Sequence, residues 1–361
     1  MIRPWVFEFF PEKKSNSGAV SGAEISAYFR SYLDLWTRDE ELGFEGIFFS
    51  EHHFGGSFSA SPNLLIAATA AKTTRIRLGV MGLVVPYYTP ARILEEIGML
   101  DHISGGRLEI GTAIGIPQEL ARLNMTMDEA RAINDEALDV LDAALTTGIA
   151  DHQGRHFNYS ALPLVPRPAQ RPCPPKWTTI VSQGSARKVA RRGSKICTGF
   201  HPTDKIKALF DAYRAEAKAC GFDVGPEHIA LRRRVVVAPT EAEASRMSLA
   251  MGERYMHFVS QDSRLRSAPV PDAPGQGGGF SVSEDEFIAG TPATVAEKII
   301  DQCRRVGAGH FLAVLHWGAG IDEVSAAHEL FGREVMPTLR KAEVELPRTT
   351  IRKAPHNLPV Q

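Results

Sequence analysis

The short apolar run Ile47-Phe48-Phe49 leads into Glu51-His52-His53-Phe54, a carboxylate and two imidazoles where a buried strand stops. In a parallel α/β protein that end of a strand is where chemistry sits. Imidazole is also the side chain most easily tuned to move protons near neutral pH. In extended chain, neighbouring side chains point to opposite faces, so His52 and His53 do not readily grip one ligand together. A metal-binding barrel would favour His-x-His, which this chain lacks at every strand end. If His52 points into a barrel mouth, His53 and Glu51 can support it from behind. The plain alternative is a pair of hydrogen-bonded loop histidines.

Three further stretches could carry function. In Thr178–Arg187 a strand enters the turn Ser182-Gln183-Gly184-Ser185 and then a helix. Such a turn can offer backbone N–H groups and hydroxyls to a phosphate at a helix N-terminus, or it can be an ordinary N-cap. Leu78–Pro86 is a buried strand with glycines at 79 and 82, which fits either close approach of something flat or simple taper of a barrel core. His316-Trp317-Gly318 closes the last strand with an aromatic and a polar group. Arg232-Arg233-Arg234 reads as strand charge, and Arg187, Lys188, Arg191 and Arg192 as a solvated helix face. No P-loop, G-x-S-x-G or H-E-x-x-H is present.

The elements that must position these residues alternate. Strand-like runs at Val6–Phe10, Gly46–Ser50, Arg77–Val84, Leu108–Thr112, Pro175–Val181, Lys195–Gly199, Ile229–Ala238 and Phe311–Leu315 are each followed by a helical pattern. The helices are expected at Ala23–Leu42, Asn63–Lys72, Ala91–Asp101, Asp128–Leu145, Ser185–Arg192, Lys205–Ala219, Glu241–Phe258 and Asp322–Arg340. Gly43, Gly193 and Gly221 stand where helices should end. Eight such repeats point to a (β/α)8 TIM barrel with its site on the loops after the strands. One barrel is expected over residues 1–342. The glycine- and proline-rich stretch 260–286, inserted in the seventh unit, is expected to be mobile, as a lid or as an inert insertion. Residues 343–361 are expected to form an exposed arm.

The chain of 361 residues is 43% hydrophobic and carries a formal net charge of −1, which gives no reason to expect nucleic acid or an anionic membrane as partner. Four scattered cysteines without a C-x-x-C pair argue against structural zinc or disulfides and suit a reducing cytoplasm. No apolar run reaches the ~20 residues of a membrane span, and no signal-peptide pattern opens the chain. A cytoplasmic enzyme is expected.

Together these segments resemble the bacterial luciferase-like, flavin-dependent monooxygenase family. The likeness runs in order through Glu51–Phe54, Ser61–Ala68, Ile76–Pro86, Leu100–Leu108, Gly290-Thr291-Pro292 and Val335–Leu339. It implies a barrel that uses reduced FMN and dioxygen, by way of a C4a-peroxyflavin, to oxygenate an organic substrate. It further implies a separate NAD(P)H-dependent flavin reductase and a homodimer. By the same resemblance, His52 is the flavin-side acid/base and Glu51 orients it. Met81-Gly82 falls where the family often has a cis non-prolyl peptide under the flavin ring. Ser182, Gly184 and Ser185 match the phosphate turn, Arg131 resembles the phosphate-side arginine, and Asn63 is a weaker candidate that could simply cap a helix.

The sequence departs from luciferase itself after the fourth strand. Where that subunit has a reactive cysteine and then an arginine, this chain has Thr112-Ala113-Ile114-Gly115. Ala113 and Gly115 leave space beside the flavin, and the missing arginine removes a charge-assisted contact nominally of about 1.5–3 kcal/mol. Luciferase's aldehyde chemistry is therefore not implied. An apolar substrate is expected from Phe54, Phe58, Phe200 and Trp317 near the mouth. The competing readings are an F420-dependent oxidoreductase on the same fold, a flavin-binding protein without turnover, and a metal-dependent hydrolase using His52, His53, His201 and His316.

Overall fold

A computed structural model describes residues 1–13, 19–54, 56–261, 284–315 and 319–346, with side chains left out for 254–261 and 284. Eight parallel strands close into a barrel: β1 (Arg3–Glu8), β2 (Gly46–Phe49), β3 (Arg77–Val80), β5 (Leu108–Ala113), β8 (Lys176–Ile180), β9 (Lys195–Thr198), β10 (Ile229–Val237) and β12 (His310–Val314). Pairing of β10 with both β9 and β12, and of β12 with β1, completes the ring. All eight coincide with the strands expected from sequence. The TIM barrel is therefore the fold.

Helices α1 (Gly22–Leu42), α2 (Pro62–Ala70), α3 (Pro90–Ile103), α5 (Met127–Thr147), α6 (Gln183–Arg191), α7 (Thr203–Ala219) and α8 (Glu241–Gln261) follow in the expected slots. The start of α1 is held by a reciprocal Ser21–Glu24 capping box. Its end is set by Gly43 at φ 88°, whose N–H donates to the Asp39 and Glu40 carbonyls. The expected last helix is broken into α10 (Ile321–Leu330) and α11 (Met336–Lys341) by one π turn at Phe331–Val335. Asp128 and Asp322 lie in first turns; the N-caps themselves are Thr126 and Gly320.

Five strands and α-helices lie outside the sequence expectation, and a sixth element, β4 (Leu83–Val84), is the far end of the run expected at Arg77–Val84, separated from β3. The five are the short α4 (Pro117–Arg122), the antiparallel hairpin β6 (Ile149–Gln153) with β7 (Asn158–Pro163), and β11 (Phe287–Gly290) with α9 (Pro292–Val306). Helix α9 buries Val295, Ile299, Cys303 and Val306, a regular helical stripe. One helix per strand left it no slot once Glu241–Phe258 had been assigned. The segment read as a lid and the C-terminal arm lie outside the described residues apart from their outermost few, as does all of His316-Trp317-Gly318.

Two cores result from the strand alternation. Val6, Ile47, Leu78, Ile110, Ile196, Leu231 and Ala313 face outward into the layer between barrel and helices. Trp5, Phe7, Phe48, Met81, Trp177, Cys197, Ala230, Leu312 and Val314 fill the barrel interior. Trp5 and Phe48 stack with centroids 4.7 Å apart, and the Trp5 indole occupies the place a side chain at Gly46 would take. At the barrel floor the Trp5 Nε1–H donates to His310 Nδ1 at 2.9 Å and His310 Nε2–H donates to the Glu227 carbonyl at 3.1 Å. The Trp177 indole donates to Glu109 at 2.6 Å, and Arg77 also pairs with Glu109. A plug of aromatics and satisfied polar groups thus closes the bottom, leaving the C-terminal mouth for a site.

Candidate active site at the barrel mouth

His52 and His53 do part to opposite sides. The His52 ring lies over Phe9, with centroids 5.8 Å apart and planes at 17°. Its Nδ1 is 3.1 Å from Glu119 Oε1, and Glu119 is buried at 1% exposure on α4. An ionised carboxylate can only accept, so Nδ1 carries the hydrogen and Nε2 is left as the lone-pair nitrogen. Glu51 does not reach His52. Its Oε1 accepts from His53 Nε2 at 2.7 Å and from the Tyr88 hydroxyl at 3.0 Å, and its Oε2 accepts from the Val84 backbone N–H at 2.8 Å. The residue read as the orienter of His52 is instead a tie between the β2 and β4 ends, because its side chain leaves on the far face. Glu119 takes the orienting position. Only the glutamate after the Ile116-Pro117 break, in a helix too short to show a period, hinted at it.

Around the ring, β3, β5 and β8 carry the residues expected to face a cofactor. The Met81–Gly82 peptide is cis. Met81 is 3% exposed and belongs to the barrel interior. A Cβ on Gly82 would meet the Thr112 carbonyl carbon at 2.5 Å, and one on Gly79 would meet Phe48 Cε1 at 2.7 Å. These glycines answer to protein neighbours, so the taper reading explains them without a ligand. Ala113 ends β5 half-buried at the rim, and the Thr179 hydroxyl, on the inward face of β8, is buried without a hydrogen-bond partner.

The turn before α6 caps its own helix. Ser182 Oγ accepts from the Ser185 N–H at 3.1 Å, and Ser185 Oγ accepts from the Ser182 N–H at 3.1 Å. The N–H groups of Gln183 and Gly184 have no intrahelical partner by their position. Beside Gly184 there is room, since a Cβ there would meet only Ser182 Oγ, at 3.8 Å. Lys188 donates to Asp135 and Arg192 to Asp139, each at 2.7 Å and each joining residues 53 apart. These two bonds tie α5 to α6 in constant register, 135 to 188 and 139 to 192. Arg131 itself pairs with Asp128 at 2.7 Å and stays largely exposed. Of the cluster read as a solvated face, Arg187, Lys188 and Arg191 are indeed exposed, while Lys188 and Arg192 also pair with α5 and Arg191 with Glu216.

The opposite half of the mouth holds what the sequence reading passed over. Residues 232 and 234 of β10 point inward and 233 outward. Arg233 is satisfied outside the barrel by Gln302 at 2.7 Å, the His201 carbonyl at 3.0 Å and Thr203 at 3.1 Å. Arg232 lies 4.3 Å over the Phe7 ring and 4.7 Å over Phe200; Arg234 lies 3.7 Å over Phe200. Of the expected aromatic wall, Phe200 lines the interior, Phe58 packs instead with Phe10 and Phe29, and Phe54 is exposed beside His53. Asn63 donates to Glu96 on α3 at 2.6 Å and takes no part. Among the described residues no three metal-ligating side chains converge, and no helix is long and apolar enough to cross a membrane.

This geometry can be set beside known proteins. The sequence profile described as luciferase-like monooxygenase matches residues 9–310. An uncharacterized protein of Sinorhizobium fredii, y4wF, is 31% identical over 300 residues, covering 81% of this chain and 87% of that protein. The oxygenase component of a flavin-dependent trigonelline monooxygenase from Acinetobacter baylyi is 27% identical over 340 residues, 88% and 92% of the two chains. The oxygenating constituent of 3,6-diketocamphane monooxygenase from Pseudomonas putida, solved with FMN, superposes with TM-score 0.76 at 20% identity over 97% of this chain and 100% of its own. The F420-dependent tetrahydromethanopterin reductase of Methanopyrus kandleri superposes with TM-score 0.70 at 17% identity over 94% and 99%. The two superpositions speak for the fold, and the profile match for descent: the chain belongs to the luciferase-like monooxygenase family.

Proposed function

We propose that this chain is the oxygenase component of a two-component monooxygenase, using reduced FMN and dioxygen to oxygenate a small organic substrate, with the reduced flavin handed over by a separate NAD(P)H-dependent reductase. The observation that carries the reading is the donor set on one half of the mouth. The open N-terminus of α6 suits a phosphate dianion, and Arg131 lies one turn before Asp135, the α5 residue that ties to Lys188 of α6. The orphaned Thr179 hydroxyl and the small Ala113 suit the polar edge and flat body of a flavin. When bound, reduced FMN would supply the activation of dioxygen.

In this reading the chain's own groups orient, exclude water and move one proton. Ser182, Gly184, Ser185 and Arg131 hold the phosphate end, and Met81 and Gly82 lie under the ring. His52 Nε2 holds or accepts a proton at the reacting edge while Glu119 keeps its tautomer, the division of labour of an oriented acid/base histidine. Phe9 and Phe200 keep the interior dry. Dimerisation belongs to the same proposal: Leu64 on α2 and Met99 and Ile103 on α3, helices that pack against each other, are exposed apolar side chains.

The test is titration with oxidised and reduced FMN, then turnover with a flavin reductase present. His52→Ala is expected to stay folded, because a strand-end side chain contributes little packing. It should also release more hydrogen peroxide per reduced flavin consumed. Unchanged coupling would refute the role of His52. The F420 reading is kept alive by the reductase-like neighbour, and tight binding of F420 with none of FMN would replace the proposal by it.

A further inference from the structure

Among the described residues Arg232 has no counter-ion. It is 8% exposed, faces the barrel interior, and among the described residues no carboxylate pairs with it. Its guanidinium lies across the Phe7 and Phe200 rings, and its Nε is buried without a hydrogen-bond partner. The neighbouring Arg234 is different, with Glu286 at 3.7 Å. A buried cation left on aromatic faces alone is costly to a folded protein. Cation–π contact recovers only part of that, about 2 kcal/mol for a desolvated pair.

The space beside it is also specific. Gly199, on the inward face at the end of β9, puts no side chain there. A Cβ at that point would lie 3.9 Å from His201 Nε2 and 4.0 Å from Arg232 Nη2. His201 Nε2 is likewise buried without a partner. Two unsatisfied nitrogen groups thus converge on one side-chain-free gap. From there an aromatic row crosses the mouth: Phe200 to Phe9 at 6.4 Å and Phe9 to His52 at 5.8 Å. The row starts at the end of β9, next to Thr179 on β8, and reaches the end of β2, next to Met81 beyond β3.

We propose that the gap at Gly199 is the substrate's anchor: it takes a carboxylate, received by Arg232 with His201 as second partner, on a small planar molecule whose body lies along Phe200 and Phe9 toward His52. An arginine edge matches a carboxylate in a way a neutral group cannot. The substrate class is then a flat monocarboxylic acid and not the purely apolar molecule that the aromatic residues suggested. The inference rests on the flavin reading for where the chemistry occurs, but the anchor can be tested without it.

The probe pair is benzoate and benzamide, equal in shape and different in charge, titrated calorimetrically into the full chain with and without FMN. Benzoate is expected to bind at least tenfold more tightly than benzamide, and Arg232→Met should abolish that preference while leaving the FMN titration unchanged. Arg232→Lys should restore part of it. Ligand-free Arg232→Met should melt no lower than the native protein, since it loses a buried unpaired charge, whereas a structural arginine would lower the melting temperature when removed. Equal binding of the two probes by the native protein overturns the anchor. So does a Met variant that keeps the preference or melts lower. Failure of FMN to bind while benzoate preference persists overturns the flavin reading alone.

Discussion

His310 gives the sharpest test of the barrel floor. It is buried at 2% exposure, and its two ring nitrogens are committed: Nδ1 accepts from the Trp5 indole and Nε2–H donates to the Glu227 carbonyl. A second proton would set one N–H against another. Burial, with Lys195 and Arg3 adding to it, holds this imidazole down to about 3, against 6.5 for an ordinary histidine. Below pH 6.5 the unfolded chain takes up a proton here and the folded chain does not. Stability from this residue is therefore complete above pH 6.5 and lost as pH falls toward 3, at about 1.4 kcal/mol per pH unit. His201, pushed down to about 4 by burial and by Lys205 and Arg232, behaves in the same direction. His328 does not interfere. Burial lowers it, but Asp39 outweighs that and leaves it raised, so its contribution is already complete below pH 6.5. The depressed carboxylates, such as Glu40, start from 4.5 and act below this window. Between pH 6.5 and pH 5 His310 should remove about 1.6 kcal/mol, and the less buried His201 a smaller amount in the same direction. Urea unfolding followed by tryptophan fluorescence at the two pH values measures the loss. His310→Asn, which keeps an acceptor for Trp5, should remove more than half of it. The same loss in native and variant protein would refute the assignment.

Glu119→Ala should free the His52 ring to turn and lower product per reduced flavin by about tenfold or more, given the 1.5–3 kcal/mol typical of a hydrogen bond to a charged group; Glu119→Gln, which keeps an acceptor, should lower it less. The peroxide-to-product ratio reads both. Two glycine substitutions should move stability in opposite directions. Gly111→Ala drives a Cβ onto the Val80 carbonyl oxygen and should cost about 3 kcal/mol or more, whereas Gly252→Ala, with open space on an α8 turn, should gain up to about 1 kcal/mol. Thermal unfolding of the two variants decides it.

The barrel was legible because its strands are short β-branched and aromatic runs at regular spacing, and helix ends such as Gly43 announce themselves chemically. The separation of His52 from His53 was legible too, since it follows from strand alternation alone. The identity of their partners was not. Glu119 lies 67 residues from His52, and nothing in a six-residue helix says that its carboxylate returns to the mouth. Arg232-Arg233-Arg234 shows the limit most plainly. The alternation that sends 233 outward was readable, but whether 232 finds a counter-ion depends on β1, β9 and the loop after β9, which local pattern does not connect. Helix α9 was missed for a different reason: its periodicity is strong, and the assumption of one helix per strand displaced it.

Glu51 spends one carboxylate on three donors from three places: the His53 ring, the Tyr88 hydroxyl and the Val84 N–H. The loops after the second and third barrel strands are therefore one mechanical part. (β/α)8 enzymes are attractive for transplanting single loops between relatives because each loop is nominally its own module. Here a graft of either loop alone would strand the carboxylate or its donors in a buried place. Substrate range in this protein is better redesigned by exchanging both loops together, or by leaving them and working across the mouth.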